Sequence, residues 1–157
     1  MNRLHALTLI LFVGLTVAGG SLIGYLSIPG PWYQALEKPA FNPPNWIFGP
    51  VWTTLYVLIG LAGARVFIRE RGTWLPRIWF IQIALNFIWS PVFFVLHRPD
   101  LALAVLVAML VAILTFIAAA WNRDRPSALL FVPYVLWVSF AGLLNGAIWW
   151  LNPATAG

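Results

Sequence analysis

Apolar residues along this chain do not alternate with polar ones. They run in five long blocks, at about 4–26, 46–68, 74–96, 101–121 and 127–151. Each block reaches the roughly 20 residues that a helix needs to cross a bilayer. Short clusters of proline, glycine and charge separate them: Pro29-Gly30-Pro31, Arg69-Glu70-Arg71-Gly72, Arg98-Pro99-Asp100 and Arg123-Asp124-Arg125-Pro126. Hydrocarbon offers backbone groups no partner, so such blocks must close their own hydrogen bonds as helices. The pattern predicts an all-α membrane protein, a single domain over 1–157 built as a bundle of five transmembrane helices. The first block continues past Ala18 to Leu26. That exceeds the about 7–15 apolar residues of a secretory signal core, so it reads as a retained span.

Composition sharpens this picture. Apolar residues make up 62% of the chain and charged residues 8%, with a mean hydropathy of +0.88. An ordinary soluble domain carries about a quarter charged residues, so this chain cannot cover a water-facing surface. The lack of cysteine removes disulfides, thiolate catalysis and cysteine-held metals. The net charge of +5 is a topology signal and not a nucleic-acid stripe. With five spans, Arg3, Arg65, Arg69, Arg71, Arg77, Arg123 and Arg125 fall on one side, and only Lys38 and Arg98 on the other. The positive-inside rule then places the N-terminus in the cytoplasm and the C-terminus outside, in a bacterial cell membrane. The lipid bilayer is the expected partner, and nucleic acid is not.

The longest connection, 27–45, holds Pro29, Pro31, Pro39, Pro43 and Pro44 with Trp32, Tyr33 and Phe41 among them. Proline denies this stretch a long helix. Its length and aromatic content argue for a stiff lid over one end of the bundle. Of the ten tryptophans, Trp32, Trp46, Trp74, Trp121, Trp149 and Trp150 fall near span ends, where interfacial belts account for them. Trp52, Trp79, Trp89 and Trp137 lie deeper, and a buried indole N–H needs an acceptor.

Two spans carry a directional pattern. In the third, Gln82, Asn86, Trp89 and Phe93 recur at spacings that share one helix face, and in the fifth Tyr134, Trp137, Ala141 and Asn145 do the same. Trp52 and Tyr56 sit one turn apart in the second. A carboxamide in hydrocarbon must find a partner, so Gln82, Asn86 and Asn145 should point inward. Two readings follow: interhelical glue, or a cavity walled by aromatic rings and a few amides for a flat, largely apolar ligand. No Asp, Glu, Lys or His stands in the middle of a span, which argues against proton-coupled transport. His5 and His97 lie on opposite sides, which excludes a shared haem iron; no metal site and no required cofactor are expected. The small-residue pairs Gly20/Gly24, Gly60/Ala64 and Gly142/Gly146 fit close helix packing, within the bundle more readily than between copies.

These residues resemble a known family. The run Trp32 to Pro39 followed by Asn42-Pro43-Pro44 is similar to the first-loop motif of the TspO/MBR family, the tryptophan-rich sensory proteins and mitochondrial translocator proteins. Pro50-Val51-Trp52-Thr53 with Leu55-Tyr56 resembles its second helix; Gln82, Leu85-Asn86, Trp89, Pro91 and Phe93-Phe94 its third; Phe131 to Tyr134, Trp137 and Asn145 its fifth. The matches run in order over nearly the whole chain. The resemblance implies a tightly packed five-helix bundle, commonly a homodimer, with a ligand cavity under the first loop that takes porphyrins such as protoporphyrin IX. It places Tyr33, Asn86, Phe93, Ala141 and Leu144 in that cavity beside Trp52, Tyr56, Trp89, Trp137 and Asn145, and Ser90 is assigned to the wall as well. It also implies, for some bacterial members, a light-dependent breakdown of porphyrin with Trp52 and Trp137 as the participating indoles. The sterol-recognition pattern of mammalian members needs a Tyr followed by Lys or Arg, and 143–152 contains neither. The expected function is a membrane receptor or binding protein for porphyrins and related flat ligands in tetrapyrrole handling and stress response. A porphyrin-degrading photoenzyme and a small transporter of porphyrins or lipids are the alternatives.

Overall fold

In the computed structural model, residues 3–153 are described, and they form helices and connections without strands. The elements are α1 (Arg3–Leu26), α2 (Pro31–Ala35), α3 (Phe48–Arg69), α4 (Leu75–Phe94), α5 (Pro99–Trp121), α6 (Arg125–Leu130) and α7 (Val132–Leu151), with one 3₁₀ turn (Asn45–Ile47) leading into α3. Five segments are long and apolar enough to cross a membrane: Arg3–Leu26, Asn45–Arg69, Leu75–Phe94, Pro99–Trp121 and Arg125–Leu151. The protein is an integral membrane protein of five spans, as the hydrophobic blocks require.

Proline sets most of the helix starts. α2, α4, α5, α6 and α7 each carry one in the first two positions, where the missing N–H would have had no intrahelical partner. The same residue type ends or breaks two of the predicted spans. The third stops at Phe94, short of Leu96, after Pro91 inside its last turn. The chain then reverses at His97, whose φ is 56°, and the Arg98 N–H returns to Val92 O at 3.2 Å. The fifth span is broken at Phe131, because Pro133 offers no N–H to the turn before it.

α1 packs along α3, α4 along α5, and α5 along α7, with α6 tucked against α3 and α5. Lipid is as apolar as the side chains it would be exchanged for, so close packing and interhelical hydrogen bonds hold the bundle. Gly60 lets α1 come within reach of α3: a Cβ there would stand 2.7 Å from the Val13 Cα. Beside it Thr16, fully buried, donates to Tyr56 O at 2.7 Å. Gly63 receives the Trp79 ring in the same way, and the Trp79 indole donates to Ile59 O at 2.9 Å. Gly20 and Gly60 are thus used inside the bundle, while Gly142 and Gly146 meet Leu106 and Leu103 of α5 at ordinary contact distance.

Two cores result. The larger fills the half around Ile59, Trp79, Ile113, Phe116 and Phe131, and the smaller gathers Tyr33, Leu36, Phe93, Ala102, Leu144 and Ile148 under the 27–45 connection. At the end far from that connection, ion pairs Arg65–Asp124 (2.7 Å) and Arg123–Glu70 (3.6 Å) join the α3–α4 and α5–α6 turns. The basic residues 65–77 and 123–125 therefore do lie at one end, as the topology reading requires.

Candidate functional site

Between the two cores a cavity of about 560 Å³ opens among α1, α3, α4 and α7. Its walls follow from the helix faces. Trp52, Thr53 and Tyr56 enter from α3, with Phe48 and Gly49 of its first turn; Asn86, Trp89, Ser90 and Phe93 enter from α4; Ala141, Leu144, Asn145 and Ile148 enter from α7. α1 presents only small or aliphatic residues, Gly20, Ser21, Ile23, Gly24 and the following Ser27. Tyr33 of α2 covers the space from the 27–45 connection, with its ring nearly buried.

That connection is a lid in the structure, with a short helix in its first half. Lys38 caps the C-terminal end of α2 by donating to Tyr33 O (2.6 Å) and Leu36 O (3.0 Å) while its ammonium sits 4.6 Å over the Tyr33 ring. Trp32, one residue earlier, stacks on His97 at 4.3 Å and meets Phe93 edge-on at 5.9 Å. Burial pushes the Tyr33 phenol up from its ordinary value, so it remains neutral.

The amides serve as glue and as cavity floor together. Asn86 accepts from the Tyr56 hydroxyl at 3.0 Å and donates to the Tyr134 hydroxyl at 2.9 Å, and Tyr134 reaches Met109 Sδ at 3.3 Å. One chain of bonds thus ties α3, α4, α7 and α5. Asn145 accepts from the Trp89 indole at 3.2 Å and donates to Pro99 O at 2.7 Å. Gln82 is fully buried as predicted, but it points at the larger core and donates to Trp79 O at 2.9 Å. Rings stand in series along the cavity wall: Trp52 stacks with Tyr56 at 5.6 Å, approaches Trp89 at 6.4 Å, and Trp89 meets Phe93 at 5.8 Å.

Of the side chains expected in the site, the structure brings together Tyr33, Trp52, Tyr56, Asn86, Trp89, Ser90, Phe93, Ala141, Leu144 and Asn145. Trp137 stands apart. It lines a separate, shallower groove with Pro50, Val51, Leu58, Pro133 and Leu136, and packs its ring on Phe48 at 5.8 Å and Phe140 at 5.5 Å. The α1 residues of the wall went unread in the sequence, because glycine and serine carry no aromatic or amide signal. The Gly20/Gly24 pair was the available hint. Among the described residues no charged side chain lines the cavity, and no cluster of His, Asp or Glu could hold a metal.

Comparison with known proteins bears on this arrangement. The model of the TspO/MBR family matches residues 12–151. Protein CrtK of Rhodobacter capsulatus is 41% identical over 90% of this chain and 90% of its own. The tryptophan-rich protein TspO of Archaeoglobus fulgidus is 40% identical over 97% of this chain and 99% of its own. The human translocator protein is 34% identical over 87% of each.

Proposed function

The chain belongs to the TspO/MBR family, and from that premise we propose that it binds a flat tetrapyrrole, protoporphyrin IX or a close relative, beneath its lid. In this reading it is a membrane receptor or scavenger in tetrapyrrole handling under light or oxidative stress. The observation that carries the reading is the cavity wall itself. Trp52, Tyr56, Trp89 and Phe93 offer a succession of rings, and no charged side chain interrupts them. Such a wall favours a planar apolar body by dispersion and ring stacking. Its volume, about 560 Å³, falls within the roughly 300–1,000 Å³ usual for small-molecule sites. The lid faces the outside of a bacterial cell membrane in this proposal, since the basic ends lie opposite it.

Tryptophan fluorescence in detergent or nanodiscs tests the proposal. Titration with protoporphyrin IX is expected to quench saturably with one class of site. Quenching that rises linearly without saturation, as for porphyrin dissolving in the micelle, overturns it. A light-driven breakdown of porphyrin is the competing reading. It rests on Trp52 in the cavity, since Trp137 lines the neighbouring groove. Illumination of the complex decides it: bleaching of the Soret band no faster than for free porphyrin leaves binding as the function.

A further inference from the structure

Polar atoms around the cavity differ in what they already hold. Those of the floor are engaged: Tyr56, Asn86, Trp89 and Asn145 all have protein partners. At the opposite corner, where α1 gives way to the lid, the Ser27 hydroxyl has none. Ser27 is 3% exposed, and its Oγ is sealed from solvent without a hydrogen-bond partner. Among the described residues that line the cavity, it is the one side chain with a polar atom both sealed and unpaired. A buried hydroxyl left in that state is unfavourable and calls for a physical reason.

The neighbourhood supplies one. Gly20 and Gly24, one turn apart, share one face of α1 and border the cavity, and Ser27, the residue that follows α1, continues that border. Gly20 is filled by the Tyr56 ring, but a Cβ at Gly24 would meet nothing within 4 Å. Gly49, across the cavity at the start of α3, is equally open. Space for the edge of a ligand therefore lies one turn from Ser27. The serine side chain has one rotatable bond with three staggered wells, so its O–H can turn to an acceptor placed there.

We propose that Ser27 is a specificity-determining residue that reads the polar edge of the ligand, donating a hydrogen bond to a carbonyl or carboxylate oxygen at the α1–lid corner. This rests on the tetrapyrrole reading and deepens it. The ligand lies with its hydrocarbon body against Trp52, Trp89 and Phe93 and its oxygen-bearing edge toward Gly24 and Ser27. Within that ligand class, the site prefers macrocycles with an oxygen acceptor over those with alkyl groups alone.

The experiment compares protoporphyrin IX with an all-alkyl porphyrin such as etioporphyrin, on the full chain in nanodiscs. The proteins are wild type, Ser27→Ala and Ser27→Thr, each checked for an unchanged melting temperature. The expected result is an about tenfold loss of protoporphyrin affinity in Ser27→Ala, the usual size of one hydrogen bond to a charged acceptor. Etioporphyrin affinity should stay the same, and Ser27→Thr, which keeps the hydroxyl, should retain at least part of the discrimination. Equal effects of Ser27→Ala on both porphyrins, or none on either, overturn the assignment while leaving porphyrin binding intact. Failure of wild type to bind either porphyrin overturns the tetrapyrrole reading and the assignment with it. A Ser27→Ala protein that melts lower yet keeps the wild-type ratio of the two affinities also counts against it, since the hydroxyl then serves the fold alone.

Discussion

Asn152 and Glu37 are joined by a reciprocal pair of hydrogen bonds: the Asn152 carboxamide accepts from the Glu37 backbone N–H and donates to the Glu37 carbonyl, each at 2.9 Å. The pair crosses from the end of α7 to the lid. It lies one residue from Lys38, whose ammonium caps α2 and sits over the Tyr33 ring. Covalent connection fixes the lid only at α1 and α3 and the Trp32–His97 stack ties it to the turn after α4, so this clasp adds an attachment at the end of α7.

Removing the clasp should loosen the lid and spare the bundle. Asn152→Ala deletes both bonds, each worth about 1 kcal/mol net. Hydrogen exchange at residues 36–38 is expected to rise by about tenfold or more. The Leu55–Ile59 turn of α3, buried in the larger core, should exchange as in wild type. Exchange mass spectrometry reads both regions at once, and an unchanged lid would assign its closure to the Trp32–His97 stack and the Tyr33–Phe94 ring contact instead.

Trp52 and Trp137 should part company in a binding assay. Trp52 belongs to the cavity wall, whereas Trp137 lines the outer groove and leaves its indole N–H buried without a partner. Trp52→Phe is expected to weaken porphyrin binding by about 1 kcal/mol or more through lost ring contact. Trp137→Phe should leave affinity within twofold, and stability equal or slightly higher, because it removes an unpaired donor. Equal losses in both variants, measured by quenching titration, would return Trp137 to the site.

Glycines of the first and second spans should respond to alanine with opposite signs. At Gly60 a Cβ would press on the Val13 Cα and Phe12 O, backbone atoms that cannot swing aside. Gly60→Ala is expected to cost about 1–3 kcal/mol by prising α1 from α3. At Gly24 a Cβ meets open space, so Gly24→Ala should be neutral or stabilising by up to about 1 kcal/mol through helix propensity. Thermal unfolding in detergent distinguishes them, and a neutral Gly60→Ala would show that the α1–α3 crossing can relax.

Why Trp137, expected in the cavity, lines the neighbouring groove is a matter of angle. Helical residues advance about 100° each, so Tyr134, Ala141 and Asn145 point within about 20° of one direction, whereas Trp137 is about 60° off it. Spacings of three and four describe a stripe wide enough to include a flank, and the flank here turns toward the groove beside α3. The stripe on α4 is narrower and held: Gln82, Asn86 and Phe93 are all buried, and Trp89 faces Asn145. Span number was legible because membrane length is a fixed ruler, and the lid because prolines and aromatics cannot form a sixth long helix. Which polar groups pair was not legible. The Asn152–Glu37 clasp joins residues more than a hundred positions apart, and no local pattern announces it.

The Arg65–Asp124 ion pair, at the end of the bundle far from the lid, should make the fold acid-labile in a defined sense. Asp124 has a side chain 2% exposed; Arg65 Nη2 reaches its Oδ1 at 2.7 Å, Arg65 Nε its Oδ2 at 3.1 Å, and the Ser127 hydroxyl donates to it as well. Burial by itself raises the carboxyl, but the Arg65 and Ser127 bonds outweigh it and hold Asp124 below the usual carboxylate range. A lowered folded value means that this contact contributes fully above the unfolded carboxylate's value of about 4 and is lost as pH falls through the still lower folded one. Wild-type melting temperature should therefore be insensitive to this pair between about pH 5 and 8, and drop below about pH 4. Asp124→Asn should be less stable at neutral pH by about 1–2 kcal/mol, given that Arg65 is one-third exposed, and should melt lower accordingly. It should also show a shallower acid decline than wild type, because the titrating partner is gone. Parallel acid slopes in the two proteins would mean that the pair is already relaxed in the folded membrane protein.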